Sequence, residues 1–547
     1  MATAHKYIFV VGGVMSGVGK GVASSSIGMI LKSYGYKVTA LKIDPYINVD
    51  AGTMNPTEHG EVFVLKDGLE TDQDMGNYER FLDISLTGTN YMTTGSVYLE
   101  VIKKERALHY RGRNVEVVPD IPLEVIDRIE RAAKLADADV TLIEVGGTVG
   151  EYQNILFLEA ARMMKSKHPD SVAVVMVSYL PVPGSIGEMK TKPTQYAVRT
   201  LNSAGVFADI ILARAPVAID DKRKEKIARF CNVRPEHVIS APDVESIYDV
   251  PLNFEKEKLG KKLLTVLGMK TKKKSDMSKW KSFVKKVHSP KKEIKIAVIG
   301  KYFATGSFVL ADSYLSVIEA LKYASFHAGA KPILTWLDAE DFEKDKKKLA
   351  QLSRYDGILV PGGFGTRGVE GIINVVEYVR KHKIPYFGIC YGMQLMVVEY
   401  ARNVAGLRGA HTAEVNPKSP HVVVDIMSEQ KKKLAMGDYG GSMRLGEFPA
   451  YLKGGTIARK AYKKEMVQER HRHRYEVNPD YVAEISKAGL IFSGVSPDEK
   501  LMEIAELPEK QHPFFLGTQF HPEFTAHPLT SQPLFDAFIK AATRKKN

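Results

Sequence analysis

The chain alternates short apolar runs with longer segments whose apolar residues recur at helical spacing. KYIFVV, VTLIEV and the stretch Ile384–Ile389 are such runs, each closed by a glycine-bearing turn. Runs of this kind read as buried strands, and their regular exchange with helices predicts an α/β fold built on parallel sheets. The alternation continues through about 268 residues and then breaks at GMKTKKKSDMSKWKSFVKKVHSPKKEIK, Gly268 to Lys295, where lysine is dense and the apolar pattern thins. IKIAVIGKYFATGS then opens a fresh series. The expected organisation is an N-terminal domain over 1–268, a Lys-rich linker over 269–293 and a C-terminal domain over 294–547. The halves differ, and no internal repeat of fixed period joins them.

A length of 547 residues with 44% hydrophobic content is enough to bury two large cores. The net charge of +13 owes much to the linker. That basic run reads either as a nucleic-acid or acidic-surface contact, or as a solvated connector whose Trp280, Phe283 and Val284 pack on a neighbouring domain. No aromatic-basic repeat supports the first reading, so no nucleic-acid partner is expected. No run approaches about 18 apolar residues, so no membrane span is expected. MATAHKYIFVV enters the first strand without a cleavage pattern. Two cysteines without a disulfide framework point to a reducing cytoplasm.

Cys390 lies in PYFGICYGMQ, between the strand ending at Ile389 and a helix beginning near Gly392. A sharp turn there lifts the sulfur clear of the sheet and sets it at a helix N-terminus, which favours the nucleophilic thiolate. A lone cysteine is usually a small core residue. GTQFHPEF, however, adds His521 and Glu523, and the three residues together have the logic of a nucleophile, a base and a carboxylate that orients the base.

The second chemical signal is GGVMSGVGKG, Gly12 to Gly21, between a strand and a helix. Its glycines, helix N-terminus and Lys20 are the parts of a phosphate cradle. It departs from a regular Walker A loop: Val14 stands where the first glycine belongs, and Gly21 where the Mg²⁺-binding Ser or Thr belongs. The metal would then need carboxylates from elsewhere, and Asp74 and Glu144 are the candidates. Glu144 ends an apolar strand, where an idle carboxylate is costly to bury. Asp74 also reads as part of a polar loop.

Cys390, His521 and Glu523 closely resemble the triad of the class I glutamine amidotransferases. On that resemblance, PGGFG at Pro361–Gly365 supplies an oxyanion-hole amide from Gly363, and Tyr391 supplies the other. The related subgroup usually has leucine at Tyr391, which bears on side-chain packing and leaves the N–H in place. Gly392, Met393, Gln394, Glu414 and Arg474 resemble glutamine-binding positions. Taken alone, ERHRHRYEV reads as a solvated charge run, and that reading is kept for most of its residues.

The wider pattern resembles the CTP synthase family. GGVMSGVGKG, KIDPYINVDAGTMNPTEHGEVFVLKDG, NYERFLD, TTGSVY, IEVGGTVG, GEMKTKPTQ, FCNV, PGGFGTRGVEG, GICYGMQ, MRLG, ERHRHRYEVN and QFHPEF occur in the family's order over nearly the whole chain. The resemblance implies a P-loop-type synthetase domain and a class I amidotransferase domain, which together aminate UTP through a 4-phosphorylated intermediate. It implies ATP binding by Ser16, Gly17, Val18, Gly19, Lys20, Gly21, Lys42, Asp74, Pro242, Asp243 and Val244, and Mg²⁺ binding by Asp74 and Glu144. UTP would meet Ser16, Lys190, Lys192, Gln195 and Lys226. CTP feedback would involve these together with Glu151, Tyr152 and Gln153. Pro56, His59 and Val62 would line an ammonia tunnel, and the loop of Arg367 and Glu370 would meet an activating GTP. A homotetramer with UTP sites at subunit interfaces is implied, and filament assembly is left open. Two departures stand out: Glu151-Tyr152-Gln153 replaces the usual Asp-Ile-Glu, and Asp120 replaces a histidine. An amidotransferase that aminates a carboxylate, and a nucleotide-binding assembly protein without turnover, remain the other readings.

Overall fold

Every residue of the strands Val38–Asp44 and Val140–Val145 is buried. Parallel strands covered by helices on both faces have no side left for water, so their sequences run apolar. The structure, a computed structural model, describes residues 5–184, 187–301, 311–426 and 443–544. The end of the expected strand opening, YFATGS after Lys301, lies outside the described residues.

The chain divides into two units, Met1–Ala51 with Asp74–Val284, and Gly52–Gln73 with Lys285–Asn547. The first is built on seven parallel strands in the order Tyr91–Thr93, Val38–Asp44, Val140–Val145, Lys6–Gly13, Val172–Tyr179, Ile210–Ala215 and Val238–Pro242. Adjacent parallel strands bring their carboxyl ends, and the loops after them, to one edge of the sheet, where α/β proteins bind ligands. The linker holds a helix, Ser278–His288, whose Trp280, Phe283 and Val284 are buried. Trp280 donates its indole N–H to the Tyr248 carbonyl at 2.8 Å.

The second unit has a nine-stranded mixed sheet. Ala330–Asp338, Lys292–Gly300, Gly357–Val360, Tyr386–Ile389 and Phe515–Thr518 are parallel neighbours. Met502–Glu506, Ile491–Val495, Arg444–Leu452 and Met466–His473 continue it antiparallel.

Gly52–Gln73 sits in this unit although it lies within the 1–268 stretch read as one domain. The reason is its hydrogen bonding. The Glu61 carboxylate accepts from the Ser316 N–H at 2.9 and 3.1 Å, Arg470 donates to the Val64 carbonyl at 3.0 Å, and Arg472 pairs with Glu70 at 2.7 Å. No helix among the described residues is long and apolar enough to cross a membrane.

Candidate active sites

In the first unit the loop after Lys6–Gly13 turns through left-handed backbone at Gly17 and Gly19, with φ of 68° and 85°. Val14 adopts φ 79°. This left-handed φ favours glycine and costs a residue with a Cβ about 1–3 kcal/mol. Lys20 opens the helix Lys20–Ser33, and its ammonium donates to the Gly147 carbonyl at 2.7 Å. Burial lowers its pKa, against the pull of Glu144.

Gly21 explains the other irregularity of the motif. A Cβ at this position would lie 2.1 Å from Asp74 Oδ1. The carboxylate thus occupies the space that a Ser or Thr side chain would fill in a regular loop. We expect Gly21→Ser, which restores the usual motif, to lose about 1–3 kcal/mol of stability through overpacking. Thermal unfolding checks it; a melting temperature equal to the wild type would contradict the close packing.

Lys42 sits at the centre of a buried charge cluster. Its ammonium bonds the Asp74 carboxylate, donates to Glu144 Oε1 at 2.9 Å and lies 3.7 Å from Asp44 Oδ1. Tyr78 donates to the second Glu144 oxygen, and Tyr91 to Asp44 at 2.9 Å. Burial opposes the Lys42 charge, but the surrounding carboxylates outweigh it and hold its pKa well above the usual range. Burial raises the Glu144 and Asp44 pKa values; for Asp74 burial is outweighed by Lys42, and the net direction is down. Asp74 and Glu144 are two hard oxygen donors converging on one cation. That donor chemistry fits Mg²⁺, which takes few protein carboxylates and fills its shell with phosphate oxygens and water.

Beside the loop, Gly19, Pro242, Asp243 and Val244 line one cavity of about 400 Å³ with Arg214, Ile247 and Phe254. Arg214 donates to the Val18 carbonyl at 3.1 Å and to Asp243 at 2.6 Å. Sequence reading passed over Arg214. The signal was present: like Glu144, it is a charge near the end of an apolar strand, Ile210–Ala215.

Lys190, Lys192, Gln195 and Lys226 do not line that cavity. Lys192 and Lys226 are exposed. Lys192 lies 5.3 Å from the ring of Phe230, on the helix that carries Lys226, and Glu188 bonds Lys190 at 2.6 Å. Glu151 turns inward, accepting from the Thr148 N–H and hydroxyl at 2.7 and 2.9 Å, and Gln153 donates to its other oxygen at 3.1 Å. Tyr152 is 90% exposed. Asp120 is gripped by the Arg113 guanidinium, which lowers its pKa.

In the second unit Cys390 joins Tyr386–Ile389 to the helix Tyr391–Asn403 with φ 51° and ψ −98°. The elbow depends on close backbone approach: a Cβ on Gly392 would fall 2.3 Å from the Val360 carbonyl oxygen. Glu523 holds His521 Nδ1 at 2.7 Å, and His521 Nε2 is buried with no hydrogen bond closed. Burial alone would favour neutral imidazole, yet Glu523 and the Cys390 sulfur outweigh it and hold the His521 pKa up at about 10.

Cys390, His521 and Glu523 line a cavity of about 250 Å³ with Gly363 and Arg474. Pro56 and Val62 line it too, whereas His59 is exposed and does not. Gln394 does not line it and donates to the Tyr475 carbonyl at 2.9 Å, and Met393 is buried in the core. Glu414 accepts from the Gly365 N–H at 2.7 Å, with its other oxygen buried and without a hydrogen bond. Arg367 pairs with Asp338 at 3.2 Å. Glu370 pairs with Arg402 at 2.9 Å, and hydrogen bonding to His411 heads the causes that lower its pKa to about 2.

The solvated reading of ERHRHRYEV is overturned. Glu469, Arg470, His471, His473 and Glu476 are all buried. These charges tolerate burial because partners meet them: Arg444 lies 3.2 Å from Glu476 and 2.9 Å from Glu503, and His471 bonds His473 at 2.9 Å.

A parallel-sheet unit with an anion loop beside a cation–carboxylate cluster, and a second unit with Cys–His–Glu on an elbow, define a glutamine-dependent synthetase. Residues 6–269 match the family model for the CTP synthase N-terminus, and residues 309–541 match that for class I glutamine amidotransferases. The chain is 50% identical over 543 residues to a CTP synthase of Thermococcus gammatolerans, covering 99% of both. It is 47% identical over 541 residues to one of Halalkalibacterium halodurans, again covering 99% of both. A solved Trypanosoma brucei CTPS glutaminase domain with bound acivicin is 37% identical, covering 46% of this chain and 94% of that one at a TM-score of 0.42. The chain belongs to the CTP synthase family.

Proposed function

We infer that the chain aminates UTP to CTP with ATP, using ammonia that Cys390 releases from glutamine. One observation carries the glutaminase half: Cys390, the His521–Glu523 pair and Gly363 share a single cavity. Sγ attacks the amide carbon of glutamine, and the charge that develops on oxygen is met by the N–H groups of Gly363 and Tyr391. His521, oriented by Glu523, gives a proton to the departing ammonia. It then takes one from the water that hydrolyses the thioester. Arg474 and Glu414 are read as the groups that hold glutamine, and Gln394 as support through its bond to the Tyr475 carbonyl.

In the synthetase half, ATP phosphorylates the uracil 4-oxygen, which is otherwise a poor leaving group, and ammonia then displaces phosphate. Lys20 and Lys42 stabilise the charge on the transferring group, the main protein contribution to phosphoryl transfer. Asp74 and Glu144 would hold Mg²⁺, which would supply positive charge to offset that of the phosphates. Ser16 to Gly21 would cradle the triphosphate, and Pro242, Asp243 and Val244 would meet the adenine. The side chains of Pro56 and Val62 on the Cys390 cavity support an ammonia exit there, and His59 has no such support.

The exposed Lys192 and Lys226, with Lys190 and Gln195, suit a UTP site completed by another subunit of a homotetramer. GTP activation at the loop of Arg367 and Glu370, and a cytoplasmic setting for two unpaired thiols, complete the reading. The full-length CTP synthase relatives favour UTP over a carboxylate acceptor.

The experiment is direct: purified protein with UTP, ATP, Mg²⁺ and either glutamine or ammonium should produce CTP, followed by absorbance. No CTP from either nitrogen source would reject the function. Feedback carries its own prediction. With the Gln153 amide in place of a carboxylate, CTP inhibition should be weak, and Gln153→Glu should tighten it about tenfold, the worth of one charge-assisted hydrogen bond. Tight inhibition in the wild type, unmoved by the substitution, would contradict this.

A further inference from the structure

We propose that Tyr391 and Lys301 are positioning residues that fasten the oxyanion loop Pro361–Gly365 to the residue following the nucleophile. The proposal rests on the reading of Gly363 as an oxyanion donor. The Tyr391 hydroxyl donates to the Gly365 carbonyl at 2.9 Å, and the Lys301 ammonium donates to the same oxygen at 2.5 Å. Both lone pairs of that carbonyl are therefore used. The preceding peptide group gives the Gly365 N–H to Glu414.

Three separate segments thus hold one loop residue: the residue after Lys292–Gly300, the first residue of the nucleophile helix, and the chain beyond His411–Thr412. Lys301 also lies 4.0 Å from the centre of the Tyr391 ring, and both side chains are almost wholly buried. Its cation is met by a ring face and carbonyl oxygens, with no carboxylate in ion-pair distance among the described residues. Burial accordingly lowers its pKa to about 8, with Glu414 pulling the other way.

Burying a lysine without a paired carboxylate is costly, and its carbonyl and ring contacts offset part of that cost. Tyr391 joins the two halves of the proposed oxyanion hole. Its own N–H forms one donor, and its hydroxyl steadies the loop that presents the other. An apolar side chain here would offer no such hydroxyl, so this fastening depends on the tyrosine. An oxyanion donor removed outright costs about 10²–10³ in kcat; a donor merely loosened costs less.

The test compares Tyr391→Phe, Lys301→Met and the double variant in the full-length protein. Each single change should lower kcat for glutamine hydrolysis about tenfold, one lost hydrogen bond's worth, with KM moving less than about threefold. The double variant should fall less than the product of the two, because both act on one carbonyl. Alkylation of Cys390 by iodoacetamide displaces iodide and forms no oxyanion, so its rate should stay near that of the wild type. Ammonia-dependent CTP formation should also persist. A Tyr391→Phe kcat within twofold of the wild type would overturn the proposal, as would an equal fall in alkylation rate. Wild-type hydrolysis that survives alkylation would instead reject the glutaminase assignment itself.

Discussion

Cys390→Ala is expected to abolish glutamine-dependent CTP formation, by at least about 10⁴-fold, as for other nucleophile deletions, while ammonia-dependent formation stays within about twofold of the wild type. The substitution removes only the sulfur at the elbow, and no part of the Lys20 or Lys42 environment. Cys390 is flanked by close backbone contacts at Gly388 and Gly392, so the smaller alanine fits the turn. Parallel progress curves with glutamine and with ammonium check it. Loss of both activities in a folded variant would refute the assignment of two separate sites.

The second large effect runs the other way. Lys20→Ala and Asp74→Asn should each eliminate CTP formation from either nitrogen source, by about 10³-fold or more, the scale of removing a cation that stabilises phosphoryl transfer. Lys20 supplies the loop's charge. Asp74 anchors Lys42 and packs on Gly21, so its neutral amide would weaken both the cation's position and the proposed Mg²⁺ site. Basal glutamine hydrolysis should survive. Near-normal ammonia-dependent activity in both variants would show that the ATP site lies elsewhere.

The parts of these sites legible in the sequence are the local ones. Strand, elbow and helix around Cys390 follow from apolar runs and glycines within a few residues, and His-x-Glu is a short motif. The Gly-rich loop was legible as a cradle, and its two irregularities were visible as oddities. Their reasons were not, because they involve the left-handed backbone of Val14 and a carboxylate reaching Gly21 from a remote helix. ERHRHRYEV was misread for the same reason. Its burial depends on Arg444, Glu503, Glu70 and Val64, which are distant in sequence, and a run of charges carries no sign of partners that the fold will bring. The strands of Gly52–Gln73 are three residues each, too short for periodicity to show which unit they join. Arg214 could have been found by the argument applied to Glu144.

The proposal that binds the account together is that nitrogen freed at Cys390 is used in the synthetase half without release to water, where it would be mostly ammonium. The most direct test supplies glutamine labelled with ¹⁵N at the amide, together with excess unlabelled ammonium, and measures the label in CTP by mass spectrometry. The account predicts CTP carrying mostly ¹⁵N despite the excess. Label diluted to the isotopic composition of the bulk ammonia would contradict it.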